Sequence, residues 1–141
     1  MVGSHLQNLS ASMEDYLEMI YRLGRGNCVR TGSLAEALSV NKSSVTKMAK
    51  KLSTWGLVKY EPYGVIQLTD QGLLLGEYFF ERHETVGRFL ELIGVRGNIL
   101  QEVEGIEHNL SRDTLRRMKE LAAYAKKRPE WWEEFMKEKE K

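Results

Sequence analysis

Glu104, Glu107 and His108 stand three and four residues apart, a spacing that lets one helix offer three ligand-type side chains to a common point. Glu107 interrupts an apolar stripe formed by Leu100, Val103, Ile106 and Leu110. A carboxylate in such a stripe is costly unless it is paired, protonated or bound to a cation. His83 falls in a second stripe, that of Phe79, Val86, Leu90 and Ile93. Asp15 and Glu18 form a further acidic pair at i, i+3. Of the three histidines, His5 lies in residues 1–8, which resemble an expression remnant and are set aside; the other two are both at these positions. Two imidazoles and four carboxylates without a thiolate make a hard to borderline donor set, suited to Mn2+ or Fe2+ and tolerant of Zn2+ or Cd2+. Four carboxylates balance the charge of two divalent ions, so two ions per subunit are expected. Each piece alone has a plainer reading. A histidine on an apolar face is more often a satisfied core residue, Asp15 a capping acid, and Glu18 a solvated charge or a partner for Arg22 at i+4. Their coincidence favours a metal centre.

These residues need helices to hold them. Ser12 to Asp15 resembles a capping box, and Met13, Leu17, Ile20 and Leu23 follow at helical spacing, which predicts a helix over 12–23. Thr31 to Ser33 opens a short helix over 34–38, and Asn41 caps a third over 42–54 that Gly56 stops. Two β-rich runs, 57–60 and 65–68, flank a turn at Glu61-Pro-Tyr-Gly64. A long helix is predicted from Thr69 to Ile93 with Gly94 as its stop, then helices to about Leu110 and over 112–127. The tail from Trp131 either forms a final short helix or frays.

Helix, turn, helix and β-hairpin is the winged helix-turn-helix order. In the third helix Val45, Met48, Ala49 and Leu52 face the core, while Ser43, Ser44, Thr46, Lys47 and Lys50 crowd the remaining surface. Short hydrogen-bonding side chains and lysines at a helix N-terminus suit the major groove of DNA. Charge agrees. Arg22 to Tyr60 holds eight basic residues and one acidic residue, a net +7, in a chain whose total is +1. A basic patch on a nearly neutral chain is the footprint of a phosphate-binding face; its plainer reading is a solvated helix surface. The single cysteine, Cys28, excludes an internal disulfide and points to a reducing cytoplasm. No apolar run approaches the ~20 residues of a membrane span, and no secretory pattern opens the chain.

Ser12-Met-Glu-Asp-Tyr16 with Glu18, Ser43-Ser-Val-Thr-Lys-Met48, Arg82-His-Glu84 and Val103-Glu-Gly-Ile-Glu-His108 resemble the diphtheria toxin repressor family of metalloregulators, in its manganese-responsive branch. The match runs over roughly residues 10–120 in order and at family spacing. It implies a mostly α fold: an N-terminal winged helix-turn-helix DNA-binding domain (1–70), then a helical metal-binding and dimerisation domain (71–141). It implies that Asp15, Glu18, His83, Glu104, Glu107 and His108 form a binuclear manganese site. Glu18, Glu104 and Glu107 would lie between or near both ions, with His83 on one and His108 on the other. Iron-responsive relatives carry cysteine where this chain has Glu104, which favours manganese. Ser43, Ser44, Thr46 and Lys47 would face the major groove, and Lys50, Lys51 and the wing around Tyr63 would touch phosphates.

The expected protein is therefore a cytoplasmic homodimeric repressor, not an enzyme. Mn2+ would promote its binding to palindromic double-stranded operators of manganese uptake genes, with no membrane or small organic ligand as partner. Two departures bear on this. Asn41-Lys42 stands where the best-known member of the family has His-Pro at the start of the recognition helix, which implies a different operator preference, and the tail from Arg128 matches nothing in the family pattern. Two rival readings remain. One is a metal-independent winged-helix regulator. The other is a carboxylate-bridged di-metal enzyme, which would need an open coordination position and a substrate pocket, and whose repeated Glu-x-x-His motif is missing here.

Overall fold

Ser10, rather than Ser12, starts the first helix, α1 (Ala11–Gly24): its hydroxyl accepts from the Met13 amide at 3.2 Å. Ser12 already lies inside the helix. The computed structural model describes residues 8–61 and 63–139. Met13, Leu17 and Ile20 are buried as their spacing predicts, but Leu23 is 44% exposed. A two-residue strand that the sequence reading missed, β1 (Val29–Arg30), leads into α2 (Thr31–Leu38). Helix α3 (Lys42–Thr54) follows a turn through Ser39, and the Asn41 side chain caps it by accepting from the Ser44 amide at 2.8 Å. The wing is β2 (Val58–Glu61) and β3 (Val65–Leu68), antiparallel, with Tyr60 opposite Ile66. Strand β1 adds to the other edge of β3, giving the order β1-β3-β2.

Helix α4 (Asp70–Leu92) begins at Thr69, whose hydroxyl accepts from the Gly72 amide and donates to the Gly56 carbonyl. The chain divides into two compact units inside α4, after Glu81. In the first unit α4 runs very close to other backbone. A Cβ on Gly72 would stand 1.9 Å from the Leu57 carbonyl oxygen, and one on Gly76 would stand 2.9 Å from that of Leu17. The core of this unit draws on every element: Met13, Leu17 and Ile20 of α1, Leu34 of α2, Val45 and Leu52 of α3, Ile66 of the wing, Leu75 and Phe79 of α4.

The second unit contains the rest of α4, then α5 (Ile99–Ile106), a 3-10 turn (Glu107–Asn109), α6 (Arg112–Lys127) and α7 (Pro129–Lys139). Asn98 and Ser111 cap α5 and α6, accepting from the Gln101 and Thr114 amides. Val86, Leu90, Val103, Leu115 and Ala125 are buried. The stripe expected on α5 is covered only in part: Leu100 is 55% and Ile106 36% exposed. Pro129 does not end the helical region. It opens α7, where its missing N–H costs nothing. Helix α7 returns to the end of α4, where the Lys139 ammonium donates to the Ile93 carbonyl. Its aromatic residues pack in series, Trp131 edge-on to Tyr124 of α6 with centroids 5.2 Å apart and Phe135 stacked on Trp132 at 5.0 Å. No described helix is long and apolar enough to cross a membrane.

Candidate metal centre and nucleic-acid face

Helix α4 presents Arg82 and His83, and the 3-10 turn presents Glu107 and His108. Glu107 is only 2% exposed, the most deeply buried acidic side chain described. Its Oε2 lies 2.9 Å from His83 Nδ1 and its Oε1 lies 3.6 Å from His108 Nε2. On the far side of the His108 ring, Arg82 Nη2 stands 3.2 Å from Nδ1. A buried carboxylate between two imidazoles fits a divalent cation. All three side chains have lone pairs suited to a borderline metal, with Glu107 buried and the two imidazoles half-buried.

Glu104, Glu107 and His108 do not all lie on one α-helix. Helix α5 ends at Ile106, and Glu107 and His108 belong to the tighter turn that follows. At three residues per turn the direction of successive side chains departs from the helical wheel. Glu104, within α5, is exposed. In the first unit, Asp15 and Glu18 sit one turn apart on α1, Asp15 half-buried and Glu18 buried. Arg22 Nη2 meets Glu18 Oε1 at 2.9 Å, so the i+4 ion pair exists. Arg82 was assigned no role from sequence. The signal was available: it follows Phe79 by three residues and precedes Val86 by four, a charge on the same stripe.

On α3, Ser43, Lys47, Lys50 and Lys51 are exposed, and Ser44 and Thr46 half-buried. The Ser43 hydroxyl donates to Asn41 Oδ1, and that of Thr46 to the Lys42 carbonyl. Tyr63 at the wing tip is 97% exposed and held at φ 75°, a left-handed conformation that β-hairpin tips demand. The wing is tied down beside it. Both the Thr31 amide and its hydroxyl donate to the Gly64 carbonyl, at 2.8 and 2.9 Å. Between wing and helices lies a cleft of about 460 Å3 lined by Arg30, Thr31, Lys42, Thr46, Tyr60 and Tyr63. Of these, Arg30, Thr31, Lys42 and Tyr60 were not among the residues expected to contact DNA.

A winged helix-turn-helix with a basic third helix, followed by a helical unit with a buried carboxylate–imidazole cluster, defines a class: winged-helix regulators with a metal-ligating second half. Residues 8–66 match the family model "Iron dependent repressor, N-terminal DNA binding domain", and residues 69–139 match "Iron dependent repressor, metal binding and dimerisation domain". The chain belongs to this iron-dependent repressor family, the diphtheria toxin repressor family. It is 46% identical over 117 residues to the HTH-type transcriptional regulator MntR of Oceanobacillus iheyensis, covering 82% of this chain and 80% of that protein. It is also 46% identical over 115 residues to MntR of Geobacillus kaustophilus, covering 80% and 82%. Among solved structures it resembles the manganese regulator SloR, with TM-score 0.67, 30% identity and coverage of 79% of this chain and 54% of that one. It also resembles a manganese-dependent transcriptional repressor in complex with manganese, with TM-score 0.70, 28% identity and coverage of 79% and 53%. The chain thus spans about half the length of these structural relatives and most of the length of the sequence relatives.

Proposed function

We propose that this protein is a manganese-responsive transcriptional repressor, which binds operator DNA as a homodimer when Mn2+ is present, and that it works in the cytoplasm. The observation that carries the reading is Glu107, buried and held between His83 and His108 in the half that matches a metal-binding and dimerisation domain. Bound Mn2+ would supply positive charge to an otherwise acidic ligand set, and an ion pair per subunit would suit its carboxylates. His83, Glu107 and His108 are its ligands in the second unit. Asp15 and Glu18 are its ligands in the first, and the exposed Glu104 joins them when the site fills. Glu18 would hold the ion in place of its ion pair with Arg22.

Mutual repulsion among these carboxylates disfavours the ligating arrangement in the metal-free chain. The repressor is activated by population shift, since only the DNA-competent arrangement ligates well. Ser43, Ser44, Thr46 and Lys47 read base edges in the major groove, while Lys50, Lys51 and Tyr63 meet phosphates. Leu100 and Ile106, exposed on α5, are the apolar residues a second copy would cover. A two-fold dimer calls for a palindromic operator, and the genes it controls are those of manganese uptake. The affinity order of divalent metals places Zn2+ above Mn2+, so manganese response rests on coordination number and geometry.

Fluorescence anisotropy tests this at fixed salt, with a palindromic duplex from upstream of the organism's own manganese transporter and chelator-treated protein. A large affinity gain on adding Mn2+, reversed by chelator, is expected. Tight binding that ignores metal would assign the protein to the metal-independent regulators.

A further inference from the structure

We propose that the cleft between the wing and α2 is a phosphate clamp, in which Arg30 and Lys42 together hold one phosphodiester of the operator backbone. The proposal rests on the reading of the first unit as a DNA-binding unit. The cleft, of about 460 Å3, has Arg30 and Lys42 among its lining residues and no Asp or Glu. Both cations are exposed, and neither forms an ion pair among the described residues. Lys42 opens α3, but its stem folds back. A Cβ built on Gly32 would stand 3.4 Å from Lys42 Cε and 3.8 Å from its Nζ, so the ammonium lies over the first turn of α2. That turn adds positive potential of its own. Its N-cap, Arg30, offers no side-chain acceptor, and no acid stands in the turn. Two cations and a helix start thus meet in one cleft with no anionic side chain to offset them, an arrangement that an incoming anion stabilises.

The walls of the cleft are tied together. The amide and the hydroxyl of Thr31 both donate to the Gly64 carbonyl, at 2.8 and 2.9 Å, and pin the wing to the start of α2. Gly64 leaves no room for a side chain: its φ is 75°, and a Cβ there would stand 2.8 Å from Thr31 Oγ1. Tyr60 and Tyr63 line the cleft from the wing, and a phenol hydroxyl can donate to an anionic oxygen. A frame fixed in advance spares the cost of ordering a loop on binding. Lys42 and Thr46, one turn apart on α3, both line the cleft, so it runs beside the helix read as entering the major groove. The anion at hand there is the DNA backbone. Such a contact fixes the register of α3 and carries no sequence information. Lys42 is thereby assigned to a phosphate, in contrast to Lys47 further along the same helix.

The test is fluorescence anisotropy on the full chain with Mn2+ present, over a series of KCl concentrations. Wild type is compared with Lys42→Ala and with Arg30→Ala/Lys42→Ala, on the operator duplex and on a scrambled duplex of equal length. Lys42→Ala is expected to weaken both duplexes alike, about tenfold, and to leave the ratio between them unchanged. In the double variant the slope of log affinity against log salt is expected to flatten by about two, the counterions of one phosphate in each half-site of a dimer. A loss confined to the operator would make Lys42 a base reader and overturn the clamp. Unchanged affinity and slope would take the cleft off the DNA, and a change of about four would put the two cations on separate phosphates; either overturns it. Methylphosphonate substitution, which removes the charge of a single phosphate, locates the contact. One position per half-site is expected to weaken wild type and to leave the double variant unaffected, and no such position would overturn the clamp. Wild-type binding that ignores Mn2+ would defeat the metal response while the same slopes still upheld the clamp. Wild type that binds neither duplex would overturn both.

Discussion

The two units of this chain are built on different terms. The first, up to Glu81, draws three helices, the wing and the start of α4 into one apolar core, buries Glu14 and Glu18 on α1, and gathers its basic residues between Arg22 and Lys59. The second, from Arg82, buries an arginine and a glutamate beside its apolar residues and leaves Leu100, Ile106, Leu121 and Tyr124 in solvent. A side chain such as Glu107 is a poor choice for stability, since an apolar residue of the same size would pack there without a partner. The contrast teaches that the first unit rests on a broad apolar core, and the second sets a buried carboxylate between two imidazoles where a cation could be held.

Substitutions can break or sharpen that contrast. The largest effect is expected from Glu107→Ala. If Glu107 is the ligand proposed, Mn2+-stimulated operator binding should fall by about a hundredfold or more, since its carboxylate and the histidine contacts it orients are lost together. The variant should remain a folded dimer by circular dichroism and sedimentation. Full metal-dependent repression would place the response elsewhere. Gly72→Ala attacks the other unit. Its Cβ would enter the Leu57 carbonyl, and a net loss of about 2–3 kcal/mol is expected in urea melts despite the better helix propensity of alanine. A melt like that of wild type would mean that α4 is less tightly seated there.

Lys47→Ala leaves both units folded and should weaken operator binding about tenfold, most strongly at its own base pair. Affinity equal to wild type would remove Lys47 from the groove. The smallest effect is on alkaline stability. Burial raises the Tyr16 hydroxyl above its ordinary value of 10.0. The unfolded chain therefore ionises first, and the contribution, fully present below that ordinary value, is lost as pH rises through the raised one. Tyr16→Phe should flatten the fall in urea midpoint above about pH 10. An unchanged slope would trace it to other groups.

Much of the fold was legible because its signals are local. Asn41 as N-cap, the span Lys42–Thr54 and the hairpin turn at Tyr63-Gly64 follow from side-chain chemistry within a few residues. Strand β1 was not legible, since Val29 and Arg30 become a strand only by pairing with Ile66 and Val65, far along the chain. Ser10 and Ser12 are equally good caps by composition, and the side chain that caps α1 is that of Ser10.

At the site, the anomalies His83 and Glu107 were visible as polar breaks in apolar stripes, and the structure brings them to 2.9 Å. The tighter turn at Glu107 and His108 was not visible, because a helical wheel assumes the helix continues and this one stops at Ile106. Nor does a stripe reveal what covers it: Leu100 and Ile106 read as core and are exposed in the single chain.

The central claim is that Glu107 and its two imidazoles hold the manganese to which the protein responds. Titrating Mn2+ into the full chain under electron paramagnetic resonance tests it directly, because free Mn2+ has a sharp six-line signal that binding suppresses. Suppression by the wild-type chain, with the free signal restored in Glu107→Gln, is the predicted result. Equal suppression by the variant, or none by wild type, would contradict the account.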